Sequence, residues 1–440
     1  MTPPNLLVIT LHDTGRYFGC YGVATVQTPH IDRIAAQGVR CTSMFCTSPV
    51  CSPSRGAMNT GLYPQTNGLM GLTHEPWDWR LHDDARHIAQ HLGDAGYETV
   101  LARFQHESPE PRRLGFDKHL TPHHRPGPVA ARDLAGYLRQ RRDPRPFYVQ
   151  FGMFETHTPY DFGRAEPDNR LGVTLPPWVE PNDHAVRHFA GLQGSAKQAD
   201  RAVGIVLDAL DQADLADNTI VVFTVDHGLE IGSLRAKWSC YDAGLEIAYL
   251  IRWPDGGLVG GRTCDALLSN VDHTPTMLDL LGIAPPPPPD RGGHRRGISA
   301  AAALRSDGQI DTAGHRRHVF AMFVGGSEQR CVRSRRHKLI RNFGPGRYAT
   351  RPVDLNHPGA FVSTAKPPVE LYDLEQDPDE SDNLAEHDTH TPLRDGLDAV
   401  LIEHLRAVRD PILSGPMRLP AYERAVATIP AVGGPDRYSL

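Results

Sequence analysis

The chain is 440 residues long, enough for one large domain with a smaller one, and its composition excludes several classes of protein. Hydrophobic residues make up 40% and charged residues 22% of it, proportions typical of a folded globular protein and unlike those of a disordered one. The net charge of −6 comes from interspersed acids and bases, so no basic stripe indicates nucleic-acid binding. No apolar run is long enough to span a bilayer.

Predicted strands and helices alternate through the N-terminal part of the chain. Short apolar runs indicate strands buried on both faces, and amphipathic segments that end near a glycine indicate helices. The predicted strands cover residues 5–11, 146–154, 218–226 and 248–254, the predicted helices cover 29–39 and about 194–213, and 83–102 predicts a helix followed by a strand. This alternation predicts an α/β fold with a large, mostly parallel sheet flanked by helices, in which ligands bind at the carboxyl ends of the strands.

A proline- and glycine-rich stretch at residues 282–297 predicts a linker or surface loop, because it is too stiff and polar for a core. Beyond it, the predicted strands cover 317–323, 330–343 and 369–374, and a final helix is expected near 391–408. We therefore predict a first domain over residues 1–300 and a smaller C-terminal subdomain over 301–440, built from an antiparallel sheet and a helix.

Two of the predicted strands end in adjacent pairs of side chains that can bind a metal ion. His12 and Asp13 follow the first strand, and Asp226 and His227 follow a later one. The carboxyl ends of parallel strands meet at one edge of a sheet, so the two pairs predict a single site for a divalent cation. For Asp13 or Asp226 taken alone, the alternative is a cap on the following helix.

One cysteine stands out from the other six. The cysteines are scattered without CxxC pairs, which fits neither a disulfide framework nor a zinc ribbon, so most are expected to be small buried hydrophobes. Cys51 instead begins the pattern Cys51-x-Pro53-Ser54-Arg55. On a helix, Arg55 lies one turn beyond Cys51 on the same side, where its guanidinium is suited to hold an oxyanion.

This pattern, followed by Thr60-Gly61, resembles the signature of the type I sulfatases of the alkaline phosphatase superfamily. Segments similar to that family follow its order at 19–22, 28–39, 61–68, 224–228, 250–254, 272–282 and 370–385. Segments 67–72 and 330–343 lean towards the heparan N-sulfatase, or sulfamidase, branch. The resemblance implies an alkaline phosphatase-like fold, with the sulfatase catalytic domain at 1–300.

The resemblance also implies roles for individual residues. Cys51 would be oxidised to formylglycine by a formylglycine-generating enzyme, and the hydrated aldehyde would be the nucleophile, anchored by Arg55. Lys237 would hold a sulfate oxygen and assist the leaving group, His157 would lie on the leaving-group side, and His106 would take a proton from the hydrated aldehyde. Substrate-binding residues would be Arg55, His157 and Lys237. The metal ligands would be His12, Asp13, Cys51, Asp226 and His227.

Two positions depart from the family pattern. His12-Asp13 stands where the family has two aspartates, and Phe104 stands where it has a lysine two positions before His106. The family resemblance implies calcium, whereas a nitrogen ligand from His12 would favour manganese or zinc. Arg103 is the residue expected to replace the missing positive charge.

The sequence therefore predicts a hydrolase that cleaves a sulfate ester or sulfamate on a sugar or small organic molecule. The first alternative is a phosphonate monoester or phosphodiester hydrolase of the same superfamily. The second is a non-catalytic relative that binds sulfated ligands. Trp77, Trp79 and Trp178 lie in two predicted loops, where they either stack on a substrate ring or pack beneath the loops.

Partners and location are expected from the same features. The substrate is a small molecule or saccharide sulfate, and we expect neither a nucleic-acid nor a membrane partner. The N-terminal segment lacks the basic, apolar and cleavage regions of a signal peptide, so we expect a cytoplasmic protein. The oligomeric state, including a homo-oligomer, stays open.

Overall fold

A computed structural model describes residues 3–122, 124–231, 235–285, 296–306, 315–325, 328–344 and 366–427. Most of the linker predicted at 282–297 lies outside the described residues. Within the described ranges, no helix is both long enough and apolar enough to cross a membrane.

The described residues form fourteen strands and eleven α-helices. The strands are β1 (Asn5–Leu11), β2 (Val39–Cys41), β3 (Met44–Phe45), β4 (Glu98–Arg103), β5 (Lys118–His119), β6 (Phe147–Gly152), β7 (Thr219–Val225), β8 (Tyr249–Arg252), β9 (Arg262–Cys264), β10 (Leu268–Ser269), β11 (Val319–Phe323), β12 (Gln329–Arg333), β13 (His337–Asn342) and β14 (Val369–Asp373). The helices are α1 (Pro29–Gln37), α2 (Cys51–Thr60), α3 (Pro64–Asn67), α4 (Ile88–Asp94), α5 (Gly127–Gln140), α6 (Asp183–Gln212), α7 (Asp242–Leu245), α8 (His273–Leu280), α9 (Ala301–Arg305), α10 (Thr391–Ala407) and α11 (Pro420–Ala427).

Eight strands form the main sheet, in the order β5-β4-β6-β1-β7-β8-β2-β9. β1 lies in the middle, parallel to both β6 and β7, and every residue of β1 is buried. Only β8 runs against its neighbours within this sheet. Strands buried on both faces are apolar along their whole length, which explains why short apolar runs located them in the sequence. The predicted α/β fold with a mostly parallel sheet is confirmed.

The longest helix begins eleven residues before its predicted start. α6 starts after Asn182, whose side chain accepts a hydrogen bond from the Ala185 amide and so caps the helix. The prediction placed the start near Gly194, but this glycine lies inside the helix. A Cβ at Gly194 would lie 1.9 Å from the Glu166 carbonyl oxygen, so the glycine permits close packing of a loop rather than marking a helix end.

A second sheet lies in the C-terminal part of the chain. Its four antiparallel strands follow the order β11-β12-β13-β14, and α10 packs against β12 and β13. Leu339, Leu371 and Leu401 are among the residues of the apolar cluster between the sheet and the helix. The predicted antiparallel sheet with a helix is confirmed, and the domain boundary near residue 300 stays a prediction.

A glycine fixes the turn that follows β7. The Gly228 amide donates a hydrogen bond to the Gly244 carbonyl oxygen over 2.9 Å. A Cβ at Gly228 would lie 2.0 Å from the Ala243 carbonyl oxygen, a distance that no side chain tolerates without a backbone shift. The turn therefore holds the residues directly before it, Asp226 and His227, against the segment around α7.

We expect Gly228→Ala to lower the free energy of unfolding by about 1–3 kcal/mol, the usual cost of forcing an extra methyl group into a packed site. The matched control is Gly136→Ala in α5, where an added Cβ has no neighbouring atom within 4 Å. This control should be neutral or stabilising by about 0.5–1 kcal/mol, because glycine is unfavourable inside a helix. Denaturant unfolding of both variants measures the difference, and equal stabilities would contradict the described turn.

Candidate active site

The site lies where the carboxyl ends of β1 and β7 meet. The two strands pair in parallel as far as Leu11 and Val225, so the residues that follow them, His12 and Asp226, come side by side. The Asp13 amide donates a hydrogen bond to Asp226 Oδ1 over 3.1 Å, which joins the two strand ends directly.

Helix α2 brings Cys51 to the same place. Val50 is extended, and Cys51 is the first residue of the helix, where free backbone N–H groups favour negative charge. All residues of α2 are buried. Ser54 donates a hydrogen bond to the Asp226 carbonyl oxygen and accepts one from Asn270 Nδ2 over 2.8 Å, which fixes the helix against the end of β7.

Four of the five predicted metal ligands converge. One ligand atom from each of His12, Asp13, Cys51 and Asp226 lies within 4.8 Å of the others, and all four residues are buried. His227 completes the predicted set, because its Nε2 lies 3.0 Å from Asp13 Oδ1 and 3.4 Å from Cys51 Sγ. We call these five residues the strand-end cluster.

Two cationic side chains flank the strand-end cluster. Arg55 Nε lies 3.1 Å from Asp226 Oδ2 and its Nη2 donates to the Leu11 carbonyl oxygen, while its buried Nη1 has no hydrogen-bond partner. Lys237 Nζ lies 2.8 Å from Asp13 Oδ2 and 3.3 Å from His157 Nε2. Arg55 and Lys237 therefore approach the cluster through its two carboxylates, and His157 lies beside Lys237.

The pKa values follow from burial opposed by these neighbours. Burial alone would raise the pKa of both carboxyls, but Lys237 and His227 hold the pKa of Asp13 well below its ordinary value. His227 and His12 do the same to the pKa of Asp226. Burial would lower the pKa of His12, yet the Asp226 carboxylate raises it to about 10. The two carboxylates are thus charged in a buried site, a state that requires positive charge close to them.

The donor set fits a divalent metal ion. Both ring nitrogens of His12 and Asp13 Oδ1 are buried and make no hydrogen bond, although His12 Nδ1 lies 3.0 Å from Asp226 Oδ2. Buried polar atoms normally have a partner, so ligand atoms that converge without hydrogen bonds indicate a position for a cation. Oxygen, nitrogen and sulfur donors together suit a divalent ion.

Strained backbone conformations occur at residues that place site side chains. Asp13 has φ 51°, Thr156 before His157 has φ 74°, and Trp238 after Lys237 has φ 73°. Non-glycine residues rarely adopt positive φ, and such residues cluster at functional sites where the surrounding structure enforces them.

His106 lies in a different position from the other predicted catalytic residues. Its ring stacks on His74 and contacts the edge of Phe104, each with centroids 5.5 Å apart. Phe104 in turn lies 4.9 Å from the His12 ring and 5.4 Å from Arg55 Cζ. Phe104 thus contacts both His106 and residues of the site, and the role of His106 stays a prediction.

The family model described as Sulfatase matches residues 4–125 and 129–283, more than half of the chain. This chain belongs to the sulfatase family. The matched region contains every residue of the strand-end cluster together with Arg55, His106, His157 and Lys237. The predicted family and the predicted hydrolase class are confirmed.

The named relatives of this chain include sulfatases and a sulphohydrolase. It is 28% identical over 456 residues to an ulvan-active sulfatase of Formosa agariphila, covering 87% of this chain and 71% of the relative. It is 26% identical over 446 residues to the human N-sulphoglucosamine sulphohydrolase, covering 87% and 86%. A solved structure in complex with its substrate D-glucosamine-2-N,6-O-disulfate matches with a TM-score of 0.73 at 18% identity, over 93% of this chain and 99% of that chain, which shows the shared fold.

The expectation that Arg103 replaces the positive charge of the missing lysine is wrong. Its Nη1 forms an ion pair with Glu155 Oε2 over 2.8 Å, and its Nε donates to the Arg125 carbonyl oxygen. Both Arg103 and Glu155 are buried, so the carboxylate neutralises the arginine and no charge is added to the sulfatase site. The sequence placed an arginine at the end of the strand, but its ion-pair partner, distant in sequence, could not be predicted from the chain.

Of the two predicted roles, the structure shows packing beneath the loops, and Trp77 also packs, partly buried, against the apolar clusters. Trp79 packs with Leu69 and Met70, and Trp178 packs in a second apolar cluster, so both are buried beneath their loops. Trp77 is only partly buried, and its ring contacts that of His74.

The sequence analysis missed Glu230, whose Oε2 lies 3.5 Å from Lys237 Nζ. Its position shortly after His227 is the feature of the sequence that could have indicated a place near the site.

We expect chelation of divalent ions to lower the thermal unfolding midpoint by several degrees, because a ligand bound only by the folded state stabilises that state. Asp13→Asn should abolish this response, whereas the control Asp208→Asn, at an exposed position on α6, should keep it. Differential scanning fluorimetry with and without EDTA measures the shift, and metal analysis of the wild-type protein accompanies it. A metal-free wild-type protein that is indifferent to EDTA and to added ions would contradict the metal site.

Proposed function

We propose that this sulfatase hydrolyses a sulfate ester or a sulfamate through formylglycine made from Cys51. The observation that carries the proposal is the position of Cys51. It begins a buried helix inside the strand-end cluster, with Arg55 on the same helix and Lys237 joined to the cluster through Asp13. When formed, formylglycine supplies a hydrated aldehyde whose hydroxyl attacks sulfur.

The strand-end cluster would hold one divalent cation. Its ligands would be His12, Asp13, Cys51 in its modified form, Asp226 and His227. When bound, the ion would supply positive charge that favours a deprotonated nucleophile and offsets the negative charge of the sulfate. The two carboxylates suit calcium, and the nitrogen donors extend the range to manganese and zinc.

The chain's own side chains would bind the sulfate and protonate the leaving group. Arg55 Nη1, buried and without a partner, is free to donate to a sulfate oxygen, and the Lys237 ammonium is placed to neutralise another. Lys237 Nζ, or the partly exposed His157 whose Nε2 lies 3.3 Å from it, would give a proton to the departing oxygen or nitrogen. His106, whose ring contacts Phe104, would take the proton of the second hydroxyl so that sulfate is released.

The partners implied by this reaction are a small-molecule or saccharide sulfate and a formylglycine-generating enzyme. The cytoplasmic location and the oligomeric state stay predictions.

The alternative function, a phosphonate monoester or phosphodiester hydrolase, uses the same modified cysteine. A comparison of the rates on sulfate and phosphorus esters therefore distinguishes the two reactions.

We expect kcat/KM to be higher for 4-nitrophenyl sulfate or N-sulfoglucosamine than for bis(4-nitrophenyl) phosphate and phenyl phosphonate esters. Cys51→Ala should lower kcat by about 10⁴-fold or more, as loss of a nucleophile does in other hydrolases. The matched control, Cys46→Ala, removes another buried thiol outside the strand-end cluster and should keep the activity.

The outcomes separate the three hypotheses. Faster turnover of the phosphorus esters would establish the first alternative. Hydrolysis that persists in Cys51→Ala would contradict the role of Cys51 as the nucleophile precursor, and with it the proposal. No hydrolysis by the metal-loaded and modified wild-type protein would contradict the proposal and favour the non-catalytic relative.

A further inference from the structure

Two cysteines lie opposite each other at one edge of the main sheet. β2 and β9 pair in parallel, and their register makes Cys41 and Cys264 direct partners. β9 is the last strand in the sheet order, so Cys264 lies on an edge strand. The Thr42 amide donates to the Cys264 carbonyl oxygen over 2.9 Å, which continues the pairing to the end of both strands. Strand pairing therefore places side by side two thiols that are distant in the sequence.

This pairing suits the geometry of a disulfide. Neighbouring strands lie about 4.7–4.9 Å apart, and the Cα atoms of bridged cysteines lie about 4.4–6.8 Å apart. Register partners in a sheet have their side chains on the same face, so the two thiols lie on one side of the sheet. The Cβ atoms of a disulfide are about 3.5–4.5 Å apart, so a bridge would draw the two strands slightly together. β9 has three residues and lies at the edge, where a small shift disturbs little of the sheet.

The two thiols interact, and the interaction makes them unequal. Hydrogen bonding between them raises the pKa of Cys41, which burial raises further, and lowers the pKa of Cys264. A hydrogen bond from the Ala266 amide also lowers the pKa of Cys264, although burial opposes it. The thiolate is the form of a cysteine that attacks a disulfide bond. Cys264 is therefore the nucleophile of the pair, and Cys41 is the thiol that would react after it.

Exposure distinguishes Cys264 from the other cysteines. It keeps 7% of its surface exposed at the sheet edge. Cys240 and Cys331 form a second pair of interacting thiols, but they are only 0% and 1% exposed. Cys20 is more exposed than the members of either pair, yet partial burial raises the pKa of its thiol to about 12, which keeps it protonated. Outside the strand-end cluster, Cys264 is thus the cysteine that combines a lowered pKa with an accessible edge position.

We propose that Cys41 and Cys264 form a redox site, in which Cys264 exchanges with a small-molecule disulfide such as oxidised glutathione and Cys41 completes the bridge. The Cys264 sulfur bonds to one sulfur of the small disulfide, whose S–S bond breaks and releases a first small thiol. The Cys41 sulfur then bonds to the Cys264 sulfur and displaces a second small thiol. The protons of both cysteines leave on these thiols, so the pair loses two electrons and the small disulfide gains them.

This redox site is separate from the strand-end cluster. β8 and β2 lie between β7 and β9 in the main sheet, and no residue belongs to both sites. The inference therefore goes beyond the proposed function and does not depend on it.

The test follows disulfide formation by mass spectrometry in the full chain carrying Cys51→Ala, because Cys51 would add a further thiol to the tryptic peptide of residues 41–55. The folded protein is incubated with oxidised glutathione, denatured and alkylated with N-ethylmaleimide. The chain has seven cysteines and the variant one fewer, so two of its six should be bridged and four alkylated. Digestion should give a link between peptides 41–55 and 263–291, and dithiothreitol should restore six alkylated thiols.

Single substitutions in this background separate the two roles. Cys41→Ser should stop at the intermediate and carry one glutathione on Cys264, whereas Cys264→Ser should carry no glutathione on Cys41. The matched control, Cys46→Ala, removes a buried thiol from the same peptide and should leave the link unchanged. Six alkylated thiols after oxidation, or a glutathione on Cys41 in the Cys264→Ser variant, would overturn the proposal.

The bridge should also stabilise the folded chain, because a cross-link between distant residues restricts the unfolded state. We expect oxidation to raise the thermal unfolding midpoint by about 3–8 °C, and Cys264→Ser to abolish the rise. A midpoint lowered by oxidation would mean that the bridge strains the strands, and would contradict the argument from their register. A link between peptides 238–252 and 331–333, with Cys41 and Cys264 still reduced, would show that exposure does not select the reactive pair and would overturn the assignment.

Discussion

Two buried carboxylates at neighbouring strand ends set the requirements for the rest of the site. Asp13 and Asp226 lie next to each other because β1 and β7 pair in parallel up to the residues before them. Two negative charges in a buried position need positive charge around them. Arg55 and Lys237 each contribute a contact to one carboxylate, and the converging ligand atoms leave a place for a metal ion.

The fold explains how residues distant in the sequence meet at this point. The central parallel strands deliver two pairs of side chains to one edge, and α2 delivers Cys51 and Arg55 from a buried helix that Ser54 fixes to the end of β7. The positive φ at Asp13 and the close packing at Gly228 show that the surrounding structure, rather than local preference, holds the strand ends in place.

The sequence predicted what depends on local pattern and missed what depends on distant partners. Buried strands are apolar throughout, so β1 and β7 were located almost to the residue, and the charged residues that follow them pointed to the site. The start of α6 was misplaced because Gly194 looks like a helix end, when its role is close contact with a loop. The ion pair of Arg103 joins the end of β4 to Glu155, which is distant in the sequence, and no spacing in one segment encodes such a contact.

The central claim is that the strand-end cluster serves a chemically modified Cys51. The most direct measurement is the mass of the tryptic peptide of residues 41–55, from protein made in a host that has formylglycine-generating machinery. Our account predicts a peptide lighter than the unmodified one by about the mass of one water molecule, together with an aldehyde that reacts with hydroxylamine. An unmodified thiol at Cys51 in that host would contradict the account, because the helix, the cations and the metal ligands would then surround an ordinary cysteine.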